Sequence, residues 1–174
     1  MRKLILCVSI LVAGCRSENS GEGYDAAVRL GGQWFNCDRL ADEVCAVGLM
    51  HIPPIYRGEA RRQEERLLGG GFNLLRDRFG GVSDVKPPTT DFRMAELFWS
   101  SGNADYWREH PRSYKATFPV KFSKLSDGYV QIEACKIFSK WQIRAIHYGL
   151  PMSNPSSKPM IESINSDLSK VSGD

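Results

Sequence analysis

From Tyr114 to Phe122 the side chains alternate, with Tyr114, Ala116, Phe118, Val120 and Phe122 on one side and Lys115, Thr117, Lys121 and Ser123 on the other. A period of two cannot line one face of a helix, so this stretch predicts a half-buried strand. Ser126-Asp127-Gly128 supplies hairpin chemistry immediately afterwards. Val130, Ile132 and Ala134 then alternate with Gln131 and Glu133, and Trp141, Ile143 and Ala145 alternate with Gln142 and Arg144 after Ser139-Lys140. Three consecutive antiparallel strands with one apolar face make a meander.

Helical patterns precede this sheet. Ordered structure is expected from Tyr24, with Gly31-Gly32 as punctuation. From Trp34 onward Cys37, Ala41, Val44, Cys45 and Gly48 recur at helical spacing, with Asn36 or Asp38 able to cap. His51-Ile52-Pro53-Pro54 closes that element. Glu59 to Leu68 is a strong local helix with charges of both signs three and four residues apart. Gly69-Gly70-Gly71 lacks the Lys-Ser/Thr of a phosphate-binding loop, so it reads as a helix terminator, with Phe72 to Phe79 resuming helix. Residues 85–90 (VKPPTT) read as a turn, and Asp91 to Ser100 as a buried helix stopped by Gly102. A short turn from Asp105 to His110 ends at Pro111. The expected class is therefore α+β, N-terminal helices followed by an antiparallel meander of three or more strands.

The N-terminus carries an address. Arg2 and Lys3 precede an uncharged run from Leu4 to Ala13. Ten helical residues rise about 15 Å, half the hydrocarbon thickness, so this is the build of a secretory signal, not of a membrane span. Leu11-Val12-Ala13-Gly14-Cys15 resembles the lipobox of bacterial lipoproteins, with an aliphatic residue three before the cysteine and two small residues between. The resemblance implies cleavage before Cys15, diacylglycerol on its thiol and a further acyl chain, such as palmitate, on the new amino end. One acyl chain holds a protein marginally and two or three hold it stably, at about 0.8 kcal/mol per buried CH₂. Arg16, where an Asp would favour inner-membrane retention, points to the outer membrane. The expected organisation is a signal peptide over 1–14, a tether over 15–23, one α+β domain over 24–150, and a Pro/Ser-rich tail with a short amphipathic helix over 151–174.

Loss of the leader removes Arg2 and Lys3, so 23 basic residues become 21 against 20 acidic ones, a net charge of +1. That balance, together with export, argues against nucleic acid, which requires a concentrated basic surface. Cys37, Cys45 and Cys135 remain beyond Cys15, and an oxidising periplasm allows one disulfide and one free thiol. If residues 37–45 form one helix, their Cα atoms sit about 12 Å apart and cannot be bridged, which leaves Cys135 paired with Cys37 or Cys45. If the helix starts after Asp38, a local Cys37–Cys45 bridge is allowed.

No catalytic motif stands out. His51, His110 and His147 share no metal-ligand spacing, and no metal or other cofactor is expected. Asp105, Glu109 and His110 cluster at a helix end and read as a cap with exposed polar neighbours. Phe98, Trp99, Tyr106 and Trp107 are dense enough to line a pocket or an interface. Gly102-Asn103 to His110, Gly128-Tyr129-Val130 and Lys140-Trp141-Gln142-Ile143 resemble the nuclear-transport-factor-like (cystatin-like cone) superfamily over residues 90–150. That resemblance implies a curved sheet wrapped on a helix, with a mouth that binds a small molecule or closes as a protein-binding surface. The expected function is a non-catalytic, lipid-anchored envelope protein that binds another protein, in an envelope, secretion or conjugation assembly or as an immunity-type inhibitor. The alternative is a small-ligand-binding or enzymatic cone domain with an aromatic pocket.

Overall fold

The computed structural model describes residues 21–89, 94–101, 104–110, 112–125, 127–151 and 153–171, the side chains of 94–99, 104 and 171 excepted. Helix α1 (Gly21–Leu40) comes first, followed by α2 (Glu43–Leu49) and α3 (Glu59–Phe79). Strands β1 (Val82–Val85) and β2 (Met94–Ser100) precede the short helix α4 (Ala104–Glu109). The meander is β3 (Tyr114–Phe122), β4 (Asp127–Ile137) and β5 (Lys140–Pro151), and α5 (Ser157–Val171) ends the described chain.

The predicted α+β class and meander are present, extended on both sides. The sheet has five antiparallel strands in the order β1-β3-β4-β5-β2. The chain thus passes from one edge of the sheet to the other between β1 and β2. Residues 94–100, expected within a helix, instead form β2, paired along its whole length with β5 from Met94↔Pro151 to Ser100↔Ala145. Strand partners override a local pattern when a sheet edge is open to pairing.

One face of the sheet meets α1, α3 and α5 in a single core that includes Trp34, Phe72, Leu75, Phe79, Phe118, Ile132, Ile146, Tyr148 and Ile164. Trp34 meets Phe72 edge-on at 5.3 Å, and Phe79 packs against Phe122 and Tyr148 at 4.9 and 5.3 Å. Each such side chain removed from water contributes about 1.5–3 kcal/mol before the entropy of ordering is counted. The tail helix belongs to this core through Ile161, Ile164 and Leu168, with an Arg78–Asp167 ion pair joining α3 to α5.

Two glycine runs expected to interrupt helices lie inside them. Gly31 and Gly32 fall within α1, and a Cβ at Gly31 would overlap the Phe118 ring, so glycine here lets the helix lie close on the sheet. Gly69-Gly70-Gly71 falls within α3. A Cβ at Gly69 would overlap the Glu43 carboxylate, which also accepts a hydrogen bond from Asn73 Nδ2 at 2.6 Å. Gly21 to Gly23, read as the end of the tether, form the start of α1.

Candidate functional site

The outer sheet face, away from the main core, collects the polar members of the alternation. Glu133 lies at its centre with Lys115 Nζ at 3.7 Å, Arg144 Nε at 3.3 Å and His147 Nε2 at 3.2 Å. Beside it Gln131 Nε2 donates to Thr117 Oγ1 at 2.8 Å. A β-bulge creates this grouping. Glu133 pairs with Ala145 and Ala134 with Ile143, which leaves Arg144 as the extra residue. Ala145 was expected on the face of Trp141 and Ile143; the bulge moves it to the face of Glu133.

Burial alone would raise the Glu133 pKa, but the His147 hydrogen bond and the Lys115, His147 and Arg144 charges outweigh it and hold the carboxyl at about 2. A carboxylate so firmly ionised is a poor proton carrier near neutral pH. Cys135, on the same face, is buried and free. Burial pushes its thiol up to about 12, which leaves it protonated and unreactive. Both groups are held away from the pKa range that acid–base or thiolate catalysis uses.

Helix α4 covers part of this face. Tyr106 and Trp107 pack with Cys135, and the Arg144 guanidinium lies 4.6 Å from the Trp107 ring centroid. Trp107 Nε1 donates to Ser101 O at 2.7 Å. His51 Nδ1 donates to Gln142 Oε1 at 3.0 Å, so in the neutral ring Nε2 accepts from the Tyr106 hydroxyl at 2.6 Å. His110 also stacks on Tyr106, at 4.4 Å. The structure thus gathers His51 and His110 around one tyrosine, a grouping that 58 intervening positions conceal in the sequence. Burial lowers the His51 pKa and favours its neutral, hydrogen-bonded ring. Asp105, Glu109 and His110 do not converge: Asp105 pairs with Arg108 at 3.1 Å on the surface, Glu109 is exposed, and His110 Nδ1 donates to Tyr106 O at 3.0 Å. Tyr106 and Trp107 are buried as packing, while the side chains of Phe98 and Trp99 lie outside the described residues. Among the described residues, no group of His, Cys, Asp and Glu is arranged to hold a metal ion.

An exposed apolar corner lies elsewhere. Helix α1 ends in a Schellman turn: Asp42 N donates to Cys37 O at 2.9 Å and Ala41 N to Asp38 O at 3.1 Å. Ala41 occupies the left-handed position at φ 54°. The Asp42 side chain then caps α2 by accepting from Cys45 N at 2.9 Å. This reversal sets the Cys37 and Cys45 Cα atoms 5.6 Å apart and permits their disulfide. The break at Ala41 thus favours the local bridge over either pairing with Cys135. On the locked corner Leu40 is 66% exposed and Val44 82%. A cleft of about 420 Å³ runs from α1 (Arg29, Gln33) past Leu49 to Lys140 and Trp141 at the start of β5. Two further apolar residues stand out in solvent, Ile55 after α2 and Phe138 at the β4–β5 turn.

The lipobox residues Leu11 to Cys15 lie outside the described residues. Among those described, no helix is long and apolar enough to cross a membrane. Compared with protein-family models, curated proteins and solved structures, the chain shows no match.

Proposed function

We propose that this chain is a lipoprotein of the bacterial envelope, anchored through acylated Cys15 and facing the periplasm from the outer membrane, and that it works by binding another protein. The observation that carries the binding half of this reading is the α1–α2 corner. Two branched aliphatic side chains, Leu40 and Val44, are held in water on a turn fixed by a Schellman motif, an N-cap and the Cys37–Cys45 bridge. A rigid apolar knob costs little ordering entropy when a partner covers it. The core beneath is filled, with Trp34, Phe72 and Phe79 at 0% exposure, which leaves little room for a ligand between helices and sheet. Helix α1 lying on a five-stranded antiparallel sheet supports kinship with the cone superfamily as part of the same proposal.

The reading as a small-ligand domain has the 420 Å³ cleft in its favour, a volume in the range of ligand sites. The cleft is open, however, and Arg29, Gln33 and Lys140 on its walls are exposed, so no buried polar group fixes a ligand. The two readings separate by crosslinking capture of tagged protein from intact cells. The protein-binding reading predicts one envelope protein enriched with the wild type and lost with both Val44→Asp and Cys15→Ser. Capture indifferent to Val44→Asp would reject the corner as the binding surface.

A further inference from the structure

We propose that the β4–β5 hairpin tip is a second membrane contact, in which Phe138 seats among lipid headgroups and acyl chains while Lys140 meets anionic phosphates. The proposal rests on the reading of Cys15 as the lipidated residue. The turn itself is the first observation. Phe138 and Ser139 connect β4 to β5 as a two-residue loop with φ values of 49° and 65°. Two positive φ angles define the turn for which Asn-Gly is favoured, and a bulky aromatic there is strained. Phe138 is nonetheless 89% exposed, so no packing among the described residues compensates. Strain at an exposed apolar side chain marks a position chosen for something outside the domain.

The flanks fit a lipid surface. Lys136 and Lys140 bracket the tip, and Lys140 makes no ion pair among the described residues. Half-buried Trp141 lies under Lys136, with Nζ 5.4 Å from its ring centroid. Aromatic rings beside long basic side chains suit the interface, where apolar stems enter and charges stay with the headgroups.

Placement is the second, independent observation. Glu22, in the first turn of α1, accepts from Lys136 Nζ at 2.7 Å and from Trp141 Nε1 at 3.3 Å. The helix therefore starts beside this hairpin, and Phe138 lies two residues, about 7 Å, beyond Lys136 along the strand. Only residues 16–20 separate Cys15 from Gly21, a contour of at most about 20 Å from the anchor. A lipidated Cys15 thus holds the start of α1 within about 20 Å of the bilayer, with the hairpin beside it. Leu40, eighteen residues up α1 from Glu22, stands about 27 Å away at the far end. The partner-binding corner would then point into the periplasm.

The test places a fluorophore on Ser139→Cys, with Cys135 buried and the Cys15 thiol acylated, in mature protein reconstituted into phosphatidylethanolamine/phosphatidylglycerol vesicles. Nitroxide carried on shallow acyl positions should quench this label at least twofold more than one on Val44→Cys. Phe138→Gly should lose that difference while keeping or raising Tm, because glycine accepts the positive φ without strain. Equal quenching at the two positions, or a label shifted to the blue yet untouched by lipid nitroxide because a second copy covers it, would overturn the proposal. Flotation of wild type against Cys15→Ser judges the anchor separately. If wild type carries no lipid, the label quenched on added phosphatidylglycerol vesicles would sustain the hairpin contact, and an unquenched label would end it.

Discussion

Asp42 donates its backbone N–H to the carbonyl of Cys37 at 2.9 Å, and that one bond turns the chain back so that Cys45 can reach Cys37. The αL residue between them is Ala41, where glycine is the usual choice. Ala41→Gly removes the clash of Cβ with the backbone and is expected to stabilise the domain by about 0.5–1 kcal/mol, net of the extra chain entropy of glycine. A thermal melt should show Tm raised by about 2–3 °C, and an unchanged or lower Tm would contradict the assignment of the turn.

The bridge itself closes a loop of eight residues. In the chain-entropy picture that is worth about 2.5 kcal/mol, so reduction or Cys37→Ser should lower Tm by roughly 7 °C without unfolding the protein at 25 °C. The same variant should weaken partner capture more than it weakens the fold, because the corner carrying Leu40 and Val44 loses its lock.

Glu133 gives the outer face its pH dependence. Its folded pKa of about 2 lies below the ordinary 4.5, so its stabilisation is complete above about pH 5 and is lost as the pH falls from 4.5 towards 2. Glu133→Gln strands Arg144, 18% exposed, and Lys115 without their carboxylate. The variant should cost about 3 kcal/mol at pH 7, and its urea midpoint should fall less steeply than the wild type's below pH 4.5. An acid limb as steep as the wild type's would show that another carboxylate carries the effect.

Cys135 should be silent in the native protein. The mature lipidated chain is expected to show no thiol towards a maleimide when folded, one in denaturant, and three after reduction in denaturant. Fast labelling of the folded protein would contradict the burial of Cys135 beneath α4.

The strands of the meander were legible because a half-buried sheet imposes a period of two, and the apolar face of Tyr114 to Phe122 keeps it without a break. The edge strands were not. Val82 to Val85 is four residues long, and Met94 to Ser100 has a run (MAELFWS) that fits a helix as readily as a strand, so pairing with β5 decided it. The bulge at Glu133 has no local signature, yet it moves Ala145 to the outer face and sets Arg144 against Glu133. Gly31 and Gly69 misled for one reason: glycine marks a chain end when the backbone must turn, and a close approach when another element must touch it. Sequence alone does not show the Phe118 ring or the Glu43 carboxylate that comes that near. The apolar corner was hidden as well, since Val44 continues the helical pattern of Trp34 and Cys37 but lies beyond the break at Ala41, on the solvent side.

Anchoring at Cys15 supports both the binding reading and the hairpin contact, and intact-mass spectrometry of protein extracted from the envelope tests it most directly. The expected species begins at Cys15 and carries a diacylglycerol and an amide-linked acyl chain, and Cys15→Ser abolishes both. A wild-type chain of unmodified mass, or one cut at another residue, would contradict the account.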